Sequence, residues 1–195
     1  MGRVSQAQAR ENRQRVVESA SRLFREQGVD VSVADLMKAA GLTHGGFYKQ
    51  FASKEALVDE ATAHAFAERA RQYGADGTAG GAPAEARRAL IDTYLSAEHR
   101  DDPGRGCPVA GLVTDMARTE AGGEAHRTYA RGVEAYARRL DDEDGAEGAE
   151  DGDGGGLARL SAMVGALVLA RATRGTPLSD EILTTVRTSL TDPAA

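Results

Sequence analysis

The sequence predicts an all-α protein of about nine helices, with a three-helix head followed by a larger helical body. Aromatic residues make up only 5% of the 195 residues and tryptophan is absent, whereas alanine, leucine and arginine, which favour helices, are frequent. Apolar residues recur at helical spacing along most of the chain, and Gly, Pro, Ser or Thr stands at the predicted helix ends. A hydrophobic content of 41% is enough for a packed core.

The first two predicted helices cover 7–27 and 33–40. Gly28 ends the first helix, and Ser32 together with Asp35 forms a variant capping box that opens the second. The inward face of the first helix consists of Val16, Ala20, Leu23, Phe24 and Gln27.

The next two helices follow closely. Gly41 breaks the second helix, Thr43 can cap a very short third helix from 44 to about 51, and a fourth helix begins after Ser53 and continues to about Tyr73. The fourth helix would connect the head to the body, so a small tilt at its far end would move the head.

The body begins after a Gly-rich linker at 74–84. Helices are predicted over about 84–98, from Pro108 onward and over about 123–140, with a loop at 99–106.

An acidic segment at 141–156 contains eight Asp or Glu residues, no basic residue and no large apolar one. It is predicted to be a disordered loop, because it cannot bury enough surface to offset its ordering entropy. A calcium site is the alternative, although the EF-hand spacing is absent. Two further helices, about 157–174 and 179–190, end the chain, and the first is apolar around most of its circumference.

The net charge of −6 is unevenly distributed. Residues 1–54 carry nine basic and five acidic side chains, for a charge of +4, and the remainder carries 15 and 25, for −10. Such asymmetry favours an anion-binding head on an acidic body over chance surface charge.

The stretch 41–51, GLTHGGFYKQF, explains what the head would bind. A tight turn joins the second and third helices, as in a helix-turn-helix, whose second helix enters the major groove of DNA. Gly45 and Gly46 would let the backbone approach the duplex. Phe47 and Phe51 would anchor the opposite side in the head's core.

Residues 10–60 resemble the DNA-binding head of the tetracycline-repressor (TetR) family of bacterial regulators, through the string VSVADLMKAAGLTHGGFYKQFASKEAL at 31–57. Residues 104–118, GRGCPVAGLVTDMAR, resemble the LmrA/YxaF-like branch of that family. The resemblance implies a DNA-binding domain at 1–54, a ligand-binding and dimerisation domain at 55–195, and a repressor released from a palindromic operator by a small molecule.

Carried over by position, the resemblance implies two sets of DNA contacts. Phosphate contacts would come from Ser32, Thr43, Tyr48 and Lys54, and base contacts from His44, Gly45 and Lys49. Ser32 and Thr43 have the alternative role of capping helices only. Arg10 and Arg13 would reach the DNA backbone or minor groove, or form a solvated face.

For the body, the resemblance implies a homodimer formed by the last two helices, about 157–190, and a pocket for an inducer. The predicted helix at about 157–174 is apolar around most of its circumference and needs more cover than one chain supplies, which supports the dimer. The alternative is that it is the central core helix of a single chain. Candidate ligand contacts are side chains with an apolar body and a polar tip on inward faces, and packing in the core is their alternative role. They are Tyr94, Met116, Tyr129 and Tyr136.

Cys107 stands directly before Pro108, which places it at the N-cap or N′ position of a helix, where amides and the helix dipole favour a thiolate. It is a candidate sensor for electrophiles or oxidants, and the alternative is a small buried apolar residue.

Other classes of function are less favoured. We find no phosphate-binding glycine loop, no metal-ligand spacing among the four histidines and no nucleophile motif, so an enzyme is a remote alternative, and no cofactor is expected. A DNA-binding dimer without a ligand is a closer alternative. A charged N-terminus, no apolar run longer than nine residues and a single cysteine predict a cytoplasmic protein without a membrane span.

Overall fold

The computed structural model describes residues 5–76, 83–119, 122–141 and 155–192, with side chains for all of these except 73–76, 83 and 84. Within these ranges the chain is all-α, without strands, as predicted. The nine α-helices are α1 (Gln6–Gln27), α2 (Val33–Ala39), α3 (Lys54–Asp76), α4 (Pro83–Tyr94), α5 (Ala97–Asp101), α6 (Pro108–Arg118), α7 (Glu124–Leu140), α8 (Gly155–Ala172) and α9 (Pro177–Thr191). Two 3₁₀ segments, His44–Lys49 and Pro103–Arg105, lie between them.

Several helix ends lie where the capping residues in the sequence predicted them. Gly28 has a φ of 84°, and its N–H donates to the carbonyl of Phe24, which confirms it as the end of α1. The hydroxyl of Ser32 accepts a hydrogen bond of 3.1 Å from the N–H of Asp35 and so caps α2, as predicted. Pro108 occupies the first turn of α6, also as predicted.

The third helix of the head is a 3₁₀ segment, and Thr43 makes no side-chain cap there. The prediction of a side-chain cap by Thr43 was therefore wrong. Gly45 and Gly46 disfavour an α-helix in so short a stretch. Backbone bonds over three residues, from Gly46 to Thr43 and from Gln50 to Phe47, close the segment instead.

The predicted loop at 99–106 was also wrong in part, because it contains the second half of α5 and a 3₁₀ turn. The predicted helix over 84–98 ends at Tyr94. Ser96 then caps α5 by accepting a hydrogen bond of 3.1 Å from the N–H of His99.

Two hydrophobic clusters form the core. The head cluster combines α1, α2, the His44–Lys49 segment and the start of α3 with Leu112 and Met116 from α6. The body cluster combines α4, the start of α6, α7, α8 and α9. Tyr129 packs against both clusters, so the head and the body share a continuous apolar contact.

The ends of α7 and α8 lie next to each other. The carboxylate of Asp141 accepts a hydrogen bond of 2.7 Å from the N–H of Gly156, and α8 already begins at Gly155. The helix therefore begins two residues before 157, where the acidic loop was predicted to give way to it. Its central part, 142–154, lies outside the described residues.

By length and composition alone, α8 is the one helix among the described residues that could cross a membrane. It packs against α7 and α9, and Arg171 near its end donates to the carbonyl of His99 at 2.9 Å. These contacts pack one side of α8 against the helical body, and a third of its residues are buried.

Candidate nucleic-acid interface and ligand cavities

The His44–Lys49 segment has one buried side. Phe47 is completely buried and Phe51 almost so, with ring centroids 5.4 Å apart. Both belong to the head cluster, as predicted. This packing fixes the short segment although it has few helical hydrogen bonds of its own.

The opposite side of the segment is exposed and polar. Thr43, His44, Gly45, Tyr48 and Lys49 are all exposed, and Tyr48 is 71% accessible. In the described parts of the chain, the side-chain polar groups of Thr43, His44, Tyr48 and Lys49 have no hydrogen-bond partner. The tertiary structure therefore brings five of the seven predicted DNA contacts onto one solvent-facing surface.

The two glycines of this segment differ. A side-chain methyl at Gly45 would meet nothing within 4 Å, whereas one at Gly46 would lie 3.5 Å from the terminal carbon of Met37. Of the two, only Gly45 leaves out a side chain that would project from the outer surface of the segment. The expectation that both glycines serve a close approach to DNA was wrong for Gly46, which faces the core.

The two remaining predicted contacts flank the segment. Ser32 is exposed, but its hydroxyl already donates to the carboxylate of Asp35 at 2.6 Å besides capping α2. Lys54 is the first residue of α3, where Ser53 caps the helix by accepting from the N–H of Ala56. The backbone N–H of Glu55 and the Ser53 hydroxyl hold the pKa of the Glu55 carboxyl below its usual value.

Arg13 is engaged within the head. Its guanidinium forms a two-pronged ion pair with Glu60, donates to the carbonyl of Gln50 and lies 4.6 Å from the centre of the Phe51 ring. Arg13 is therefore already engaged in this conformation, although its side chain is 41% exposed, and its contact with DNA stays a prediction. Arg10 is exposed.

A buried arginine that the sequence analysis missed joins the head to the body. The side chain of Arg25 is 2% exposed, and it donates to the carbonyls of Ser21 and Gly106 and to the carboxylate of Glu68. The sequence feature that could have revealed this role is the position of a charged residue directly after Phe24, on the inward side of α1. It could not reveal Gly106, which lies 81 residues away in the chain.

The predicted ligand contacts separate into three groups. Tyr94 and Tyr136 are buried and line the same small cavity with Leu90, Arg139, Leu140, Leu160 and Met163. Tyr136 also borders an outer cleft of about 480 Å³ between α3 and α7, lined by Phe66, Ala67, Ala70, Gly132, Ala135, Arg138 and Arg139.

Tyr129 is near this cleft through Phe66, whose ring contacts both Tyr129 and Tyr136. Its hydroxyl donates to the carbonyl of Val109 at 2.7 Å, and burial raises its pKa. Met116 packs in the head cluster, away from both cavities. Of the four predicted side chains, only Tyr94 and Tyr136 line these cavities, and ligand contact by Tyr129 and Met116 stays a prediction.

Cys107 is the N-cap residue of α6, as predicted, but its side chain is completely buried and makes no cap. Its N–H donates to Nε2 of His99 at 2.9 Å, while Nδ1 of His99 contacts the carbonyl of Tyr94 at 2.7 Å. His99 is thus the neutral tautomer with the proton on Nδ1. Burial lowers the pKa of His99 to about 4. The burial of Cys107 favours a packing role over an accessible sensor thiol.

Comparison with known proteins agrees with the geometry of the head. Residues 16–61 match the family described as "Bacterial regulatory proteins, tetR family". A stretch of 61 residues is 41% identical to the HTH-type transcriptional regulator AcrR of Shigella flexneri. The match covers 31% of this chain and 28% of that regulator, so the chain matches less than a third of its relative's length.

Solved structures share the whole fold. A TetR-family transcriptional regulator from Cytophaga hutchinsonii superposes with a TM-score of 0.74 at 21% identity, over 97% of this chain and 96% of that one. A TetR regulator from Chloroflexus aurantiacus gives a TM-score of 0.73 at 26% identity, over 95% and 97%. The helical body therefore has the same fold as the bodies of these two regulators. The assignment to the LmrA/YxaF-like branch stays a prediction.

Proposed function

We propose that this chain, whose N-terminal domain belongs to the TetR family of bacterial regulatory proteins, is a cytoplasmic transcriptional regulator that binds operator DNA as a homodimer. In the simplest case it is a repressor without enzymatic activity, released when a small molecule binds to the helical body.

One observation carries the DNA-binding part of the proposal. The His44–Lys49 segment presents unpartnered polar groups on its outer side, while two buried phenylalanines fix its inner side. His44, Gly45 and Lys49 are assigned to base edges, and Thr43, Tyr48 and Lys54 to phosphates. Ser32 is the weakest of the seven assignments, because its hydroxyl is already used by Asp35.

An uncovered apolar face of α8 supports the homodimer. Leu157 and Leu169 are 53% and 57% exposed, and a methyl added at Gly165 would meet nothing within 4 Å. These residues lie on the side of α8 opposite its buried residues, and Leu178 of α9 is also 49% exposed. A two-fold pairing of α8 and α9 with a second copy would cover this face and give the dimer the symmetry of a palindromic operator.

The inducer site is assigned to the cavity and cleft that meet at Tyr136 and Arg139. The lining combines aromatic rings, alanines and two arginines at the rim, which suits an apolar molecule with a polar or acidic end. The cleft borders α3, the helix that leads to Lys54, so occupation can alter the position of the head. Thiol modification of Cys107 is the less favoured signal because the thiol is buried. A DNA-binding dimer without a ligand is the alternative, and screening small molecules for an increase in melting temperature would distinguish it.

The test is selection of binding sites from random duplex DNA with the full chain at moderate salt. We expect enrichment of a palindromic site, with affinity that falls steeply as salt rises, because phosphate contacts release counterions. The proposal fails if the selected pool shows no sequence enrichment over the starting library.

A further inference from the structure

A second cleft, of about 400 Å³, lies where α1, α3 and the Pro103–Arg105 turn meet. It is separate from the cavities that meet at Tyr136. Its lining consists of Glu18, Ser19, Arg22, Arg25, His64, Glu68, Arg71 and Arg105. Four arginines against two glutamates make this cleft positive, although the body as a whole is acidic.

Part of this charge is already neutralised. Arg25 is buried and binds Glu68, and Arg22 pairs with Glu26, which is one turn further along α1. The carboxylate of Glu18 accepts a hydrogen bond of 3.0 Å from the side-chain amide of Gln14.

The guanidinium groups of Arg71 and Arg105 are different. Both side chains are exposed, and within the described residues neither guanidinium has a hydrogen-bond or ion-pair partner. Two unpaired guanidinium groups at the edge of one cleft offer planar forks of donors, which match carboxylate and phosphate oxygens. Ser19 and His64 add further polar groups to the lining of the cleft.

We propose that this cleft binds a small anion with at least two acidic groups, of the size of a tricarboxylic acid or a diphosphate. Arg71 and Arg105 would each hold one acidic group, and Arg22 would face the anion from α1. Glu18, Glu68 and the nearby Glu26 oppose binding of an anion, but together they carry one negative charge fewer than the four arginines carry positive charges.

The location distinguishes this site from the DNA surface. Arg71 follows Lys54 by 17 residues on the same helix, which at 1.5 Å per residue is a distance of about 26 Å. A duplex held at Lys54 therefore lies well away from Arg71. The walls of the cleft come from α1 of the head and from the body, so a bound anion would bridge the two.

The experiment is calorimetric titration of the full chain with citrate and with pyrophosphate, each at constant ionic strength. Wild type should bind at least one of them saturably, with about one site per protomer. Arg71→Gln and Arg105→Gln should each raise the dissociation constant about tenfold, since each removes a charge-assisted hydrogen bond. Arg118→Gln, which removes an exposed arginine of α6, should leave it unchanged.

The titration contains no DNA, so its outcome does not depend on the proposed operator binding. All three arginines are exposed, and unchanged melting temperatures would verify that the variants fold. The proposal is overturned if neither anion binds saturably, or if the Arg71→Gln/Arg105→Gln double variant binds as tightly as wild type. Equal weakening by Arg118→Gln would also overturn it, because binding would then reflect net charge alone.

Discussion

The guanidinium of Arg25, on α1, donates a hydrogen bond of 2.8 Å to the carboxylate of Glu68, on α3. The same group donates to the carbonyl of Gly106, directly before Cys107 and α6. One buried side chain therefore connects the head helix, the helix that leads to the DNA surface, and the entry to the body.

Replacing this arginine should destabilise the protein. We expect Arg25→Met to lower the free energy of unfolding by about 2 to 3 kcal/mol, because it leaves the partly buried carboxylate of Glu68 and the Gly106 carbonyl without their donor. Denaturant unfolding measures the change. Arg22→Met, which breaks an exposed pair with Glu26, should cost at most about 0.5 kcal/mol. Equal losses in the two variants would contradict the structural role of Arg25.

Buried His99 should make the stability depend on pH. Its folded pKa of about 4 lies below the unfolded value of about 6.5, so the unfolded chain binds the proton more readily. Its contribution is complete above pH 6.5 and decreases as the pH falls towards 4, by up to about 3 kcal/mol. His99→Gln should remove this part of the pH dependence, as measured by unfolding at pH 7, 5.5 and 4.5. His126→Gln is the control, and a wild-type slope in His99→Gln would refute the assignment.

The two glycines at the proposed DNA surface should respond differently to a methyl group. Gly45→Ala has room in the free protein, so its stability should hardly change, but operator affinity should fall about tenfold because the methyl group separates the backbone from the duplex. The methyl group of Gly46→Ala would point towards Met37, so this variant should bind DNA with an affinity much closer to that of wild type. Fluorescence anisotropy with the selected operator measures both. If Gly46→Ala is the more damaging for binding, the orientation of the segment on DNA is wrong.

Lysines at the two ends of this surface should affect binding in different ways. Lys54→Ala should weaken binding to operator and random DNA by the same factor and reduce the salt dependence, as expected for a phosphate contact. Lys49→Ala should in addition reduce the ratio of operator to random affinity, because a base contact is lost. Arg174→Ala, an exposed position far along the chain, serves as control. An unchanged affinity ratio in Lys49→Ala would place Lys49 on the backbone instead.

The exposed face of α8 should control the oligomeric state. Leu169→Arg would place a charge in the proposed interface, and we expect the dimer dissociation constant to rise at least about tenfold. Light scattering after gel filtration over a dilution series measures it. Ala130→Arg adds the same side chain to an exposed position of α7 and should leave the mass unchanged. A monomeric wild type, or a fully dimeric Leu169→Arg, would exclude α8 as the interface.

The sequence by itself determined the helical class and most helix ends, because these depend on local features. Gly28 and Pro108 act through their own backbone conformations, and Ser32 acts on an amide three residues away. The chemistry of the proposed DNA surface was equally local, since His44, Tyr48 and Lys49 project from one short segment whose phenylalanines identify the buried side.

Only the tertiary structure decided which groups remain available. Arg13 is held by Glu60, 47 residues away, Arg25 reaches Gly106 across 81 residues, and Met116 packs with the head instead of the ligand cavity. A side chain's partner depends on how the helices pack, and helical periodicity specifies the inward face of a helix without specifying what lies opposite. For the same reason Arg71 and Arg105 were indistinguishable from other surface arginines until the packing of α1 against α3 and against the Pro103–Arg105 turn placed them in one cleft.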